Sequence, residues 1–366
     1  MSKIKLIVNL LIFGALILLI LLAWSDILEA FNKVTELMWW ILILAIPLQF
    51  LVVVSVAHLY FSYFKSLAIL GQLKLLELYK IATELQFINI ALPSGGVAGF
   101  TYLSLRLQPA GINIAASTLA QVVRFATTFV SFLVFLGLGL LLLAITGKAG
   151  GLVILVGSSI FSLTLFGVAI FVFLVSDQQR IQGFISWLPK TINHLSALLP
   201  YKTRGKELIN MTKVERVLKE FHLGYKELHR NFKALKMPFL WALAVNLFDL
   251  LTLYVIFLAF GVAINPGAII LAYAIANFAG LVVILPGGAG VYEALMVSIL
   301  AIAGVEDRAL TLSATLIYRI GKLVLLAPFG LWFYHQALRH GINKSALKRK
   351  GGWILGNSRR NGRSET

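Results

Sequence analysis

The chain has no cysteine and few charged residues, and each shortage excludes a class of protein. The absence of cysteine from all 366 residues excludes a disulfide framework, an iron–sulfur cluster and a thiol catalyst. Charged residues make up 13% of the chain, hydrophobic residues 59%, and the mean hydropathy is +0.90. Soluble domains do not have that balance. The composition therefore predicts an all-α, polytopic membrane protein.

Sequence signatures of metal, nucleotide and enzyme sites are also missing. The six histidines form neither an HExxH motif nor a close cluster, so we expect no metal. There is no GxxxxGK[ST] motif, so any transport is expected to be passive or coupled to an ion gradient, with Glu293 or Asp249 as proton carriers. Glu306 and Asp307 are adjacent, so on a helix their side chains diverge and cannot act as a pair. We expect no cofactor and no enzymatic activity.

The positive charge is concentrated in a few segments. Lys and Arg number 32 against 15 Asp and Glu, a formal net charge of +17. In a membrane protein such an excess marks cytoplasmic loops, so we expect no nucleic-acid partner. The N-terminus, residues 65–80, residues 176–236 and the C-terminal tail are basic, whereas residues 25–36 are acidic. This pattern predicts a protein of the plasma (cytoplasmic) membrane with both termini in the cytoplasm.

Hydropathy predicts about six full membrane-spanning helices within a membrane domain of residues 1–337. A run too long for a signal peptide, with no cleavage site after it, is expected to be the first of these helices. The basic tail, residues 338–366, is expected to be disordered. The six predicted helices are residues 4–24, 37–64, 114–145, 152–175, 238–260 and 309–334.

Two similar motifs interrupt apolar segments between these helices. Residues 92–96 read LPSGG and residues 285–288 read LPGG. Proline removes a backbone donor and glycine loosens the backbone, so both motifs predict broken helices, over residues 81–105 and 268–302. Each region could be re-entrant or could cross as two short helices. The residues that define the motifs are Pro93, Gly95, Gly96, Pro286, Gly287, Gly288 and Gly290.

The surroundings of the two motifs indicate an internal repeat, with a first half at about residues 79–145 and a second at about 273–337. Ala110-Gly111 aligns with Ala303-Gly304, and residues 121–125 align with residues 316–320, which pairs Arg124 with Arg319. The predicted topology turns the halves opposite ways, as in transporters built from inverted repeats. A chance likeness between two Gly- and Ala-rich segments is the alternative.

Charged side chains in spanning segments are costly and should face a partner or a cavity. Arg124 and Arg319 suit a phosphate group, because the guanidinium presents a planar fork of donors. Lys322 and Tyr318 share a helical face with Arg319. The predicted substrate-binding residues are Arg124, Arg319, Glu293, Lys322, Tyr318, Arg106 and Asp249. Glu293, seven residues after Pro286, could cap the resuming helix, bind a cationic group or exchange protons.

The same side chains could instead act only in packing. Arg124 and Arg319 could pair with Asp249, Glu84 or Glu293 and lock helices together, and Arg106 could extend to the membrane surface. We expect Asp249 to face inward. The basic insertion, residues 176–236, is expected to lie on the anionic cytoplasmic leaflet, with a solvated loop as the alternative.

These residues carry a resemblance to a known family. LPSGG with Arg106 and Arg124, then ILPGGAGVYEA with Tyr318-Arg319-Ile320-Gly321-Lys322, resembles the lysylphosphatidylglycerol synthase transmembrane-domain family, also called flippase-like, over about residues 5–337. The resemblance implies a module that moves or presents an amphipathic lipid, which in some members is aminoacylated and in others glycosylated or isoprenoid. Only a short tail follows the last predicted helix, so we expect no aminoacyl-transferase domain.

We therefore expect a lipid translocase that binds the phosphate-bearing head group of a phospholipid or isoprenoid lipid between inverted halves. A secondary transporter of a small solute is one alternative, and it predicts a sealed cavity. An accessory subunit to a lipid-linked glycosyltransferase is another, so a glycosyltransferase or a synthase is a possible partner.

Overall fold

A computed structural model describes most of the chain. It covers residues 32–70, 73–91, 97–146, 151–197, 232–282 and 290–340, with single positions between 215 and 229. The regular secondary structure of these residues is helical and includes no strand. This confirms the all-α class. The predicted first helix and the C-terminal tail lie outside the described residues.

The described helices have the following bounds. They are α1 (Trp39–Leu42), α2 (Ala45–Ser66), α3 (Leu75–Ala91), α4 (Val97–Leu107), α5 (Ile114–Thr146), α6 (Gly151–Val175), α7 (Gln178–Ala197), α8 (Lys236–Ala259), α9 (Pro266–Val282), α10 (Val291–Ile302) and α11 (Arg308–His340). Short 3-10 turns precede or join some of them, at Val34–Glu36, Gln108–Ala110 and Phe232–Leu235.

Five stretches in the described part are long and apolar enough to cross a membrane. They correspond to the second through sixth predicted helices, which are thereby confirmed as spans by length and composition. The protein is an integral membrane protein. The five stretches are Trp39–Ser66, Ala116–Thr146, Ile154–Val175, Phe232–Ala259 and Arg308–Gln336.

Both predicted breaks lie outside the described residues, which leave out Pro93 to Gly96 and Pro286 to Gly288. The described helices on either side end at Ala91 and Val282 and begin at Val97 and Val291. The shorter helices, α4 and α10, have 11 and 12 residues. At 1.5 Å per residue they extend about 16–18 Å, which is too short for a hydrocarbon core of about 30 Å.

The described helices follow one another in the same order in the two predicted halves of the repeat. We call α2–α5 half one and α8–α11 half two. In each, a long helix is followed by two shorter described helices and then by a second long helix. The aligned glycines Gly111 and Gly304 both end a helical turn with positive φ, +83° and +93°. The repeat and the inverted orientation of its halves stay predictions.

The halves are interleaved, because α2 packs along α8 and each half's second helix packs on the other half's last helix. Thus α3 lies against α11 and α9 lies against α5. Both crossings depend on glycine for close approach. A Cβ on Gly139 would lie 2.8 Å from Ile270, and one on Gly330 would lie 2.5 Å from Phe87.

The basic insertion begins with α7, whose bounds include Pro189. Ile181 on α7 forms a small core with Val175, at the end of α6, and with Leu218, and Phe184 packs against this core. Burial of these apolar side chains stabilises the contact of α7 with α6.

Candidate functional site

The arginine of half two is paired with an acid. Arg319 on α11 donates a hydrogen bond to Glu293 Oε1, and its guanidinium lies 5.0 Å from the ring centre of Tyr292. The other oxygen, Oε2, accepts from the backbone N–H of Gly290 at 2.7 Å. Gly290 has φ +85°, so it starts α10 with a turn that favours glycine. Glu293 therefore caps α10 and also ties it to α11.

A second ionic network joins the two halves. Lys322, one turn after Arg319, donates to Asp249 on α8 at 2.7 and 2.9 Å. Gln49 on α2 donates to the same carboxylate at 3.1 Å. Lys322 also donates to Tyr318 Oη at 3.4 Å, and Tyr318 packs edge-on against Tyr273. Asp249 faces inward as expected, and it links both halves through Gln49 and Lys322.

Arg106 forms an ion pair inside half one. Its Nε donates to Glu84 Oε2 at 3.1 Å, and Nη2 donates to Glu77 at 3.4 Å. Tyr102 Oη donates to Glu84 at 2.8 Å, and the Glu84 side chain is completely buried. This pair holds α3 against α4, on either side of the first break. The geometry favours packing over extension to the membrane surface.

Arg124 has neutral partners. Its guanidinium donates to Gln86 Oε1 at 3.0 Å and to Tyr60 Oη at 3.3 Å, and it lies 5.9 Å from the Tyr60 ring centre. Tyr60 in turn donates to Gln121 at 2.7 Å. No carboxylate in the described part of the chain forms an ion pair with Arg124. Among the described residues, the positive charge of Arg124 is therefore not balanced by a carboxylate, whereas that of Arg319 is balanced by Glu293.

An apolar groove lies between α2, α3 and α11. Its volume is about 410 Å³. Phe50 and Phe329 line it and are themselves 67% and 60% exposed, so the groove opens at the lateral surface of the bundle. Gln49 also lines the groove and reaches the network around Asp249. The groove thus runs from the lateral surface to the buried charges.

A separate cavity of about 600 Å³ lies at one end of the bundle, between the end of α5 and the loops before α9 and α11. Thr146, Asn265 and Asp307 are among its lining residues. Asp307 accepts a hydrogen bond from Lys33 at 2.7 Å, which brings the predicted acidic loop to the same end. Partial burial acts to raise the pKa of Asp307. The hydrogen bonds from Lys33 and from the Leu310 backbone outweigh this effect, so the pKa is lowered.

The structure divides the residues singled out from the sequence into three groups. One group surrounds Asp249 and Arg319, one surrounds Arg106, and Arg124 lies with a set that the sequence did not single out: Tyr60, Gln86 and Gln121. The signal for that set was available, since glutamine is rare in helices that are otherwise apolar. The same signal would have found Gln49.

Comparisons with known proteins identify the family of the chain. The model of the family described as "Lysylphosphatidylglycerol synthase TM region" matches residues 6–330. A UPF0104 membrane protein of Methanothermobacter thermautotrophicus (strain Delta H) is 30% identical over 155 residues, which are 42% of this chain and 42% of that protein. The chain thus aligns with less than half the length of this curated relative. No solved structure matches. The chain belongs to the lysylphosphatidylglycerol synthase transmembrane-region family.

Proposed function

We propose that this protein binds a phosphate-bearing lipid between its two halves and moves it across the membrane. The observation that carries the proposal is the lateral groove between α2, α3 and α11. A lipid translocase must admit a head group while the chains remain in the bilayer, and an apolar groove that opens sideways allows this. Phospholipids and isoprenoid lipids, glycosylated or aminoacylated, share the required chemistry of a phosphate on long apolar chains.

The charge distribution supports an anionic head group. The cations Arg106, Arg319 and Lys322 have carboxylate partners, so a phosphate would have to displace those acids. Arg124 has only neutral partners, and a guanidinium binds phosphate in a planar, two-pronged geometry. Binding at Arg124 would compensate a charge that is costly at membrane depth. We therefore assign the phosphate to Arg124, and a packing role to Arg319 with Glu293.

The membrane context is part of the proposal. We place the protein in the cytoplasmic membrane with both termini inside, and its basic insertion against the anionic leaflet. On α7, Trp187 is 55% exposed and Arg180 lies 3.8 Å from the ring centre of Phe173, a pattern suited to a membrane interface. We propose no chemical step for the chain itself. A glycosyltransferase or synthase that supplies or consumes the lipid is the partner that this role implies.

A transporter of a small polar solute is the second candidate. The cavity of about 600 Å³ at the end of the bundle favours it, because Thr146, Asn265 and Asp307 offer polar groups there. This candidate gives the lateral groove no role.

The proposal is tested by a substitution that places a bulky side chain in the lateral groove. Purified protein is reconstituted in vesicles, and leaflet-resolved movement of labelled phosphatidylglycerol is measured for wild type and Val54→Trp, whose larger side chain would occupy the groove. The control is Val130→Trp on the exposed face of α5. We expect movement in wild type and the control, and at least a tenfold loss in Val54→Trp. Movement of no phospholipid or isoprenoid phosphate by wild type would reject the proposal.

A further inference from the structure

The carboxylate of Asp249 on α8 accepts hydrogen bonds from three other helices. Lys322 on α11 donates to both oxygens, Gln49 on α2 donates to Oδ1 at 3.1 Å, and Tyr273 on α9 donates to Oδ2 at 3.4 Å. The side chain of Asp249 is 8% exposed and that of Lys322 is 15% exposed. Lys322 is the charged member of these three donors, so a single ion pair balances the carboxylate.

This ion pair lies at the inner side of the lateral groove and connects its walls. Gln49 lines the groove from α2, and Leu325 and Leu326, one turn after Lys322, line it from α11. Asp249 belongs to α8, which packs along α2, whereas Lys322 belongs to α11, which packs along α3. Widening the groove by moving α2 and α8 away from α3 and α11 would therefore separate Asp249 from Lys322.

The cost of this separation depends on the charge of Asp249. A carboxylate without its cation is strongly disfavoured in a medium of low dielectric, whereas a neutral carboxyl group is tolerated more easily. Lys322 has a second contact that does not involve Asp249. Its Nζ donates to Tyr318 Oη at 3.4 Å and lies 5.4 Å from the centre of that ring. One proton on Asp249 would therefore lower the barrier to opening the groove.

Glu293, the other carboxylate that the sequence offered as a proton carrier, does not have this position. Its two oxygens accept from Arg319 and from the backbone N–H of Gly290, so they connect α10 with α11 inside half two. None of these three residues lines the groove. Widening the groove would leave the pair of Glu293 and Arg319 intact.

The remaining titratable groups that face Asp249 in the described part of the chain are tyrosines. Tyr273 from α9, Tyr292 from α10 and Tyr318 from α11 interact electrostatically with it. Tyrosine is ordinarily uncharged near neutral pH. The helix α5 contacts α8 one turn earlier through the neutral pair of Ser131 and Asn246, and α1 has no titratable residue. Asp249 is therefore the group whose charge changes with pH at this position.

We infer that Asp249 is a proton-binding site that controls the opening of the lateral groove, so that lipid movement requires one proton on Asp249. The inference rests on the proposed translocation and adds its regulation. In the closed groove, Asp249 is ionised and paired with Lys322. A proton from water neutralises the carboxylate, Lys322 remains an ammonium group beside Tyr318, and the groove widens. The proton returns to water when the ion pair forms again.

The experiment measures leaflet-resolved movement of labelled phosphatidylglycerol in proteoliposomes over a series of pH values. We expect the wild-type rate to rise as the pH falls, by up to about tenfold per pH unit, the dependence that one proton gives. Asp249→Asn is neutral at every pH, so its rate should not depend on pH. Asp177→Asn, just before α7, is the matched control, because its side chain is 43% exposed. It should keep the wild-type dependence.

A second variant keeps the test valid if Asp249→Asn does not fold. The double variant Asp249→Asn with Lys322→Met removes both charges and leaves no cation of this pair unpaired. It should also move the lipid at a rate independent of pH, and thermal unfolding checks the fold of each variant.

Three results would overturn the inference and leave translocation standing. They are a wild-type rate independent of pH, wild-type pH dependence in a folded Asp249→Asn protein, and a folded double variant that moves no lipid although wild type does. A wild type that moves no lipid at any pH would instead reject translocation, and the control of the groove with it.

Discussion

The predicted repeat pairs Arg124 of half one with Arg319 of half two, but the surroundings of these two arginines differ in charge. In half two, the residue seven positions after the proline of the motif is Glu293, which pairs with Arg319. In half one the corresponding residue is Phe100, whose ring stacks on Phe125 at 5.5 Å between centres. One half thus has an acid for its arginine, and the other has an aromatic ring in its place.

Under the proposed function, this difference gives the two arginines separate tasks. The pairs of half two join α8, α10 and α11, and through Gln49 they also hold α2. Such pairs resist opening because separating them would leave charges unpaired in a medium of low dielectric. In half one, Arg124 has neutral partners, so this arginine could bind an anionic ligand without breaking an ion pair. A repeated fold can divide structure and binding in this way.

The largest expected effect is on stability, and it should differ between the two arginines. Arg319→Met leaves Glu293 without its cation, which costs about 3–5 kcal/mol for a fully buried pair. The cost should be lower here, because the Arg319 side chain is 24% exposed. Arg124→Met removes a cation without a paired acid, and we expect a change within about 1 kcal/mol. Thermal unfolding in detergent compares the two, and equal destabilisation would contradict the division of tasks.

The next prediction makes half one resemble half two. Phe100→Glu places a carboxylate where half two has Glu293, so it should compensate Arg124 and compete with a phosphate. We expect at least tenfold weaker binding of phosphatidylglycerol. Phe100→Gln is the control for the loss of the ring, and its binding should stay nearer to wild type. Equal binding by both variants would show that the charge of Arg124 is unimportant.

A smaller change tests the close packing of α4 beside α3. Gly99→Ala adds a methyl group 2.8 Å from Asn89 Oδ1, so the side chain of Asn89 must shift. We expect a loss of stability of about 1–3 kcal/mol from this overpacking. Gly321→Ala on α11 is the matched control, because a Cβ there meets no atom within 4 Å. Thermal unfolding of both variants gives the comparison, and equal stability would contradict the close contact.

The smallest effect concerns the pair at the end of the bundle. The pKa of Asp307 is lowered by Lys33, so the pair contributes stability above the ordinary aspartate pKa of about 3.9, and this is lost as pH falls through the folded value. Exposed pairs contribute at most about 1 kcal/mol, and the Asp307 side chain is 40% exposed. Asp307→Asn should therefore lower the unfolding temperature slightly at pH 7. If Asp307→Asn lowered the unfolding temperature more at pH 3 than at pH 7, the prediction would be contradicted.

Much of the fold could be predicted from sequence because hydropathy and breaker residues act locally. The spans from α2 onward follow from apolar runs, whereas the two predicted broken regions stay predictions. The partners of the charges could not be predicted in the same way, since Asp249 and Lys322 are brought together by packing between α8 and α11. The packing of Ile181 on α7 against Leu218 joins residues far apart in the chain, which a local pattern does not contain.

The surroundings of each arginine could not be predicted for the same reason. The sequence treated Arg124 and Arg319 alike, because their alignment does not show that Glu293 pairs with Arg319. The neutral groups around Arg124, namely Tyr60, Gln86 and Gln121, come from three different helices. Their meeting point is fixed by tertiary packing, so only the structure shows it.

The most direct test of phosphate binding by Arg124 is leaflet-resolved movement of phosphatidylglycerol in proteoliposomes. Wild type and Arg124→Met are compared at equal protein density, with folding checked by thermal unfolding. We expect wild type to move the lipid between leaflets and Arg124→Met to lose at least tenfold in rate while remaining folded. An Arg124→Met protein that moves phosphatidylglycerol as fast as wild type would contradict a role for this arginine in holding the phosphate.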